Sequence, residues 1–266
     1  MKQKYDLIFS FGLTCACSQT LRAAGLQYTS FPYDWIGCED IRAKVDFLCD
    51  GFPNVLDAET FHVSDANALK RPCWTGPHGL LFPHDLRVGV PLEEQFPTFR
   101  AKYARRFERL SRLLGSARRT LAVCIDNKLF PSPTEEDIRW IQKRLAGRWP
   151  NAGFEVLFVR HASGVGPDAA RITDRPGYRI IDLDCCTLDG QSSTDRKVMA
   201  IGRYLAGLLE VVDCRTAEER REGPRKRRLA KYGKFAAKTF WGYHWNRIQH
   251  RIYRHLYNRL HRKGLA

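Results

Sequence analysis

Cys15, Cys17, His84 and Asp85 are the residues of this 266-residue chain whose types and spacing best suit covalent chemistry. A cysteine attacks an acyl carbon as its thiolate, so it needs a depressed thiol pKa, a base within hydrogen-bond reach and N–H donors for the developing oxyanion. Leu7, Ile8 and Phe9 form an apolar run of strand length, and Gly12 breaks it. Thr14 or Cys15 then opens a segment with apolar residues at Cys17, Leu21 and Ala24. The pattern predicts strand, tight turn, helix. Thr14 is placed to cap that helix and Gly25 to end it. Cys15 falls in the first turn, where unpaired N–H groups and the helix dipole favour a thiolate. Cys15 is the candidate nucleophile, with N–H groups near Thr14 and Cys15 as oxyanion donors. Cys17 lies about 200° further round a helix, so only one of the two can face a given crevice. A small buried core residue is the plainer reading of either.

His84 is the best candidate base, because Asp85 beside it, or Asp34, could hold its ring as in a triad. Asp34 and Trp35 are candidates to line the site, although an aspartate closing a turn and a tryptophan filling a core account for them as cheaply. Arg160 and His161 follow a strand end and suit an anionic or sugar-linked group. His62 and His78 fall in irregular sequence and read as loop or core residues. Other chemistries fail on spacing. Cys15 and Cys17 form CxC rather than the CxxC of dithiol proteins. Arg22 follows Cys15 by seven positions and Cys17 by five, so neither makes the Cys-x5-Arg of a phosphate loop. Asp182 and Asp184 have no companion ligands in sequence, and the reading calls for no metal and no cofactor.

Further pieces carry a family likeness. They are Phe9-Ser10-Phe11-Gly12, the Gly12-x-x-Cys15 step, Leu21-Arg22, Gly25-Leu26 and Pro32-Tyr33-Asp34-Trp35-Ile36. Phe82-Pro83-His84-Asp85, Lys102-Tyr103-Ala104-Arg105-Arg106-Phe107 and Leu157-Phe158-Val159-Arg160 follow. Together, over about residues 5–210, they make a chain that resembles a bacterial family of unknown function described as papain-like cysteine peptidases. The resemblance implies Cys15 as nucleophile and His84 as base. It also implies a setting in bacterial surface-polysaccharide assembly, so that a glycan or lipid-linked precursor is as reasonable a substrate as a peptide.

Charge divides the chain unevenly. Residues 223–266 hold 13 Lys and Arg and no acid, which leaves 31 basic against 29 acidic residues in 1–222. The expected organisation is an α/β domain over 1–222 and a basic tail over 223–266, with Gly223-Pro224 at the boundary. Trp241, Trp245, Ile248, Ile252 and Leu256 fall within about 80° of one another on a helix, with Arg247, Arg251, Arg254 and Arg262 on another side. A basic amphipathic helix with interfacial aromatics suits an anionic membrane surface. Nucleic acid is the less favoured partner for the same charges, and packing as a last helix of the domain is the plain alternative. Nine cysteines, an odd count, with no signal peptide, point to a reducing cytoplasm and free thiols, and the basic tail adds a peripheral place at the inner membrane face. No segment approaches the roughly 20 apolar residues needed to span a bilayer.

Along the chain, helices are expected at 41–49, 92–114, 134–145 and 198–209, and strands at 120–125, 154–159, 178–183 and 211–212. Residues 50–81 read as a long lid-like insertion. Strands separated by helices predict a largely parallel sheet flanked by helices, with Gly12 to Cys17, Asp126-Asn127, Arg160-His161 and Asp184 beyond its carboxyl ends. Two other readings stay open. One is a non-catalytic glycan- or nucleotide-binding module. The other is a flavodoxin-like esterase or acyltransferase built on Asp189-Gly190, although Gln191 and Ser192 stand where such enzymes carry a histidine.

Overall fold

Strands β1 (Gln3–Tyr5) and β2 (Leu7–Ser10) open the chain on either side of Asp6, whose carboxylate accepts the N–H groups of Arg118 and Arg119. In this computed structural model the described residues are 2–50, 56–67, 69–126, 128–185 and 193–213, the side chains of 193–195 excepted, together with 215, 220 and 255. The chain divides into two compact units, Met1–Asp213 and Cys214–Ala266. The expected tail helix, the boundary at Gly223-Pro224, Asn127 and the Asp189-Gly190 pair all lie outside the described residues.

The central sheet has the order β2, β5 (Thr120–Ile125), β6 (Phe154–His161), β8 (Tyr178–Leu183), β7 (Arg171–Arg175). All pairs are parallel except the antiparallel edge pair β7 and β8. β1 pairs in parallel with β9 (Leu209–Val211). All six residues of β5 are buried, which is why TLAVCI shows no alternation. The protein is a mixed α/β fold with a largely parallel sheet flanked by helices.

Helices α1 (Cys15–Ala23) and α5 (Ser193–Leu208) share a core with one face of the sheet, in which Leu21, Ile201 and Leu205 meet Ile8, Val123, Leu157 and Ile181. α2 (Ile41–Cys49) lies against α4 (Glu135–Arg148), which packs along β6. The buried residues of α4, Ile138, Ile141 and Leu145, take no part in the core that α1 and α5 share. Capping explains the helix limits. Thr134 and Asp137 form a reciprocal box at the start of α4. α1 ends where Gly25 takes φ +68°, with Gly25 N–H on Arg22 O and Leu26 N–H on Leu21 O.

The insertion is more structured than a lid. Strands β3 (His62–Ser64) and β4 (Cys73–Thr75) pair antiparallel. Phe61 and Phe82 join Phe96, Phe99 and Tyr103 of α3 (Leu92–Ser116) in an aromatic cluster with Phe82–Phe99 centroids at 5.2 Å. The described part of the insertion is thus fastened to α3. No helix among the described residues is long and apolar enough to cross a membrane.

Candidate active site

α1 begins at Cys15, and main-chain bonds fix the loop before it. Phe11 N–H extends the β2 ladder to Val123 O at 2.7 Å, and Cys38 N–H donates to Leu13 O at 3.2 Å. Gly12 permits the tight approach of the helix, since a Cβ there would stand 2.4 Å from the Cys17 Cβ. Thr14 has the extended backbone of an N-cap, but its side chain makes no capping bond, contrary to the sequence expectation.

The two cysteines differ in surroundings. Cys17 is fully buried, its thiol donates to Val123 O at 3.1 Å, and burial pushes its pKa up to about 11. Cys15 is partly exposed, with the Gln19 side-chain amide donating to its sulfur at 3.9 Å. Burial also raises the Cys15 thiol, its own N–H opposing. The expected lowering by the helix terminus is therefore corrected: loss of water on the inner side of the sulfur outweighs the N–H groups of one turn.

Asp34 pins the 3-10 turn Pro32–Trp35. Its carboxylate is 0% exposed, accepts the Phe31 N–H at 3.0 Å and the Gln27 side-chain amide at 2.9 Å, and pairs with Arg22. Burial raises its pKa, with Arg22 and Gln27 opposing. Asp34 is thus a pin of the turn rather than a lining residue, a correction that follows from its enclosed, fully partnered oxygens. Ser18 Oγ lies 3.0 Å from Cys15 O and 2.9 Å from Asp34 O, so it ties the first turn of α1 to this turn. The next residue, Trp35, is partly exposed. It meets His84 edge to face at 5.4 Å, with the Arg22 guanidinium 5.9 Å from its ring centre.

Cys15, Trp35 and the exposed His84 therefore flank one turn. Among the described residues no hydrogen bond joins the thiol to the imidazole, or the imidazole to Asp85. Asp85 instead accepts the Tyr103 hydroxyl at 2.6 Å and pairs with Lys102, and Arg106 stands 3.9 Å away. The expected triad aspartate is an anchor to α3. Partial loss of water around the ring lowers the His84 pKa, Asp85 opposing, which favours the proton-accepting form.

Arg160 and His161 sit two strands away, about 10 Å along the sheet at ordinary strand spacing. Arg160 forks onto Asp182, its register partner on β8, with Nε to Oδ1 at 2.6 Å and Nη2 to Oδ2 at 3.0 Å. The His161 side chain is 5% exposed and stands 3.6 Å from the Asp184 carboxylate, which also meets Lys197 at 3.3 Å. The structure thus pairs each of these two expected substrate-binding residues with a carboxylate at the end of β8, and does not bring them to the turn that carries Trp35.

Lys44 escaped the sequence reading. It is fully buried, donates to Gly12 O at 2.5 Å and to Ile36 O at 3.4 Å, and lies over the Tyr33 ring at 4.9 Å. Burial lowers its pKa. The signal was present: Ile41, Lys44, Val45 and Leu48 occupy one helical stripe, and a lysine in an apolar stripe is out of place.

Comparisons with known proteins agree with this region. "Uncharacterized protein R408" of Acanthamoeba polyphaga mimivirus is 23% identical over 150 residues, which is 49% of this chain and 67% of its own length. That relative is viral, so it lends no support to a bacterial setting. No solved structure matches the chain. The family described as "Putative papain-like cysteine peptidase (DUF1796)" matches residues 6–164, a stretch that holds Cys15, Trp35 and His84, and the chain belongs to that family.

Proposed function

We propose that the protein is a cysteine-dependent hydrolase or acyltransferase in which Cys15 is the nucleophile and His84 the base. The observation that carries this reading is the partly exposed thiol in the first turn of α1, which Ser18 ties to the neighbouring 3-10 turn whose Trp35 packs against the His84 ring. His84 takes the thiol proton and the sulfur bonds to the acyl carbon. The leaving group departs with its electron pair, and water or an acceptor then releases the acyl group. Apo sites of this kind tighten only when substrate arrives, so a missing thiol–imidazole bond is compatible with the role. Trp35, with Arg22 beside it, offers a flat face for a sugar ring or acyl chain, in keeping with a glycan, lipid-linked or peptide substrate. A role in surface-polysaccharide assembly rests on the family likeness.

The test is labelling with p-nitrophenyl acetate and peptide mapping. Acetyl on Cys15, lost in a folded Cys15→Ala variant, is expected; an unlabelled Cys15 would remove the mechanism. A non-catalytic binding module is the second reading, favoured by the raised thiol pKa, and it predicts an inert Cys15. We further propose that residues 223–266 hold the protein at the cytoplasmic face of an anionic membrane. At about 1 kcal/mol per Lys or Arg near such a surface, a third of these charges suffices for binding. Truncation after Glu222 should abolish salt-sensitive binding to anionic vesicles; equal binding of the truncated chain would refute the idea.

A further inference from the structure

Several polar main-chain groups of the loop before Cys15 are held by named partners. Gly12 N–H faces the Cys17 sulfur, Gly12 O takes Lys44, and Leu13 O takes the Cys38 N–H. The Leu13 N–H donates to no group among the described residues. The peptides here are trans, and in a trans peptide the C=O and the following N–H point in opposite directions. A lysine drawing the Gly12 carbonyl towards itself therefore turns the Leu13 N–H to the side of that peptide opposite Lys44. Two residues on, the Cys15 N–H faces its own sulfur. Lys44 also holds Ile36 O, at the end of the turn that carries Trp35. No ion pair joins it to a carboxylate among the described residues. An apolar side chain could fill the same space without the cost of burying an ammonium group. What methionine could not supply is the bond to Gly12 O.

We propose that Lys44 is the positioning residue of an oxyanion hole, fixing the Gly12–Leu13 peptide so that the Leu13 and Cys15 N–H groups together receive the oxyanion formed when Cys15 is acylated. This rests on Cys15 being the nucleophile. In the step concerned, the thiolate bonds to the carbonyl carbon of the ester and the carbonyl electron pair moves onto oxygen, where the two N–H groups meet it. The pair then returns to expel p-nitrophenolate, leaving an acetyl thioester.

Two reagents separate this role from a structural one. Acetylation by p-nitrophenyl acetate passes through an oxyanion, and alkylation by iodoacetamide does not. In Lys44→Met, acetylation of Cys15 should fall about 100-fold, the loss typical of a removed oxyanion donor, while alkylation of Cys15 stays near the parent rate. Equal changes in the two rates, or none in either, would overturn the assignment. If parent Cys15 is not acetylated at all, the nucleophile reading fails first, whereas acetylation unaffected by Lys44→Met defeats this inference alone. Should Lys44→Met not fold, the parent chain decides. On adding acetaldehyde, which forms a hemithioacetal at Cys15, the Leu13 amide proton should move downfield more than its neighbours; an unmoved Leu13 amide overturns the proposal.

Discussion

At the ends of β6 and β8, Arg160 grips Asp182 and His161 stands against Asp184, which also meets Lys197. At the end of β2, Cys15 accepts one long bond from Gln19, and His84 rests on Trp35 with no hydrogen bond among the described residues. Both regions crown the same carboxyl edge of one sheet, and both hold residue types that catalysis uses. They differ in spare valence. In the first, acids and bases are matched by register partners and strand neighbours, so the groups serve cohesion. In the second, Asp34, Asp85 and Lys44 absorb the pairing below the surface. The thiol and imidazole above them are left with capacity for a substrate.

Breaking the support of the open region should give the largest effect. Asp34→Ala strips Arg22, Gln27 and the Phe31 N–H of their shared acceptor in a buried place, and should cost about 3–5 kcal/mol of stability in a denaturant titration. A loss below about 1 kcal/mol would show the turn to be held by something else. His84→Ala touches the open region without its support. It should leave the denaturation midpoint near the parent value and slow release of acetyl from Cys15 by about 10²–10⁴-fold. Unchanged release would remove the base from the reading. Asp182→Ala breaks the matched region, but the fork is partly exposed, so a loss of about 1 kcal/mol or less is expected, shrinking further in high salt. The smallest effect is one of pH. A raised thiol pKa means less thiolate at neutral pH, so alkylation of Cys15 should still be climbing above the ordinary thiol range of about 8.5. A plateau below that range would show that burial does not govern this sulfur.

How much of this was legible follows from burial and length. β5 and β8 lie where their apolar runs predict, because strands buried along their length write themselves as continuous or nearly continuous hydrophobic stretches. β1, β3 and β4 have three residues each, too few for a period, and β7 is the largely exposed sequence RITDR, joined to β8 through Gly177 at φ +81°. At the site, the place of Cys15 in the first turn of α1 was readable from Gly12, Thr14 and Gly25. The pairings were not. Adjacency suggested that Asp85 serves His84, yet alternate residues of an irregular segment face different neighbours, and Asp85 faces Tyr103 and Lys102. Likewise Arg160 looked free until register set it opposite Asp182.

The anchoring of the segment around His84 bears on speed. Phe82 is enclosed in the aromatic cluster, Asp85 is held to α3 and Leu86 is 4% exposed, so His84 stands on a short span between fixed points. Its backbone has little room to travel, and its ring has the freedom of an exposed side chain. Any approach of His84 to a neighbour therefore comes mainly from rotation about its side-chain bonds, an event of picoseconds to nanoseconds, rather than from the microsecond-to-millisecond swing of a closing domain. On the mechanism proposed above, bond making or product departure, rather than movement of this segment, would set the pace.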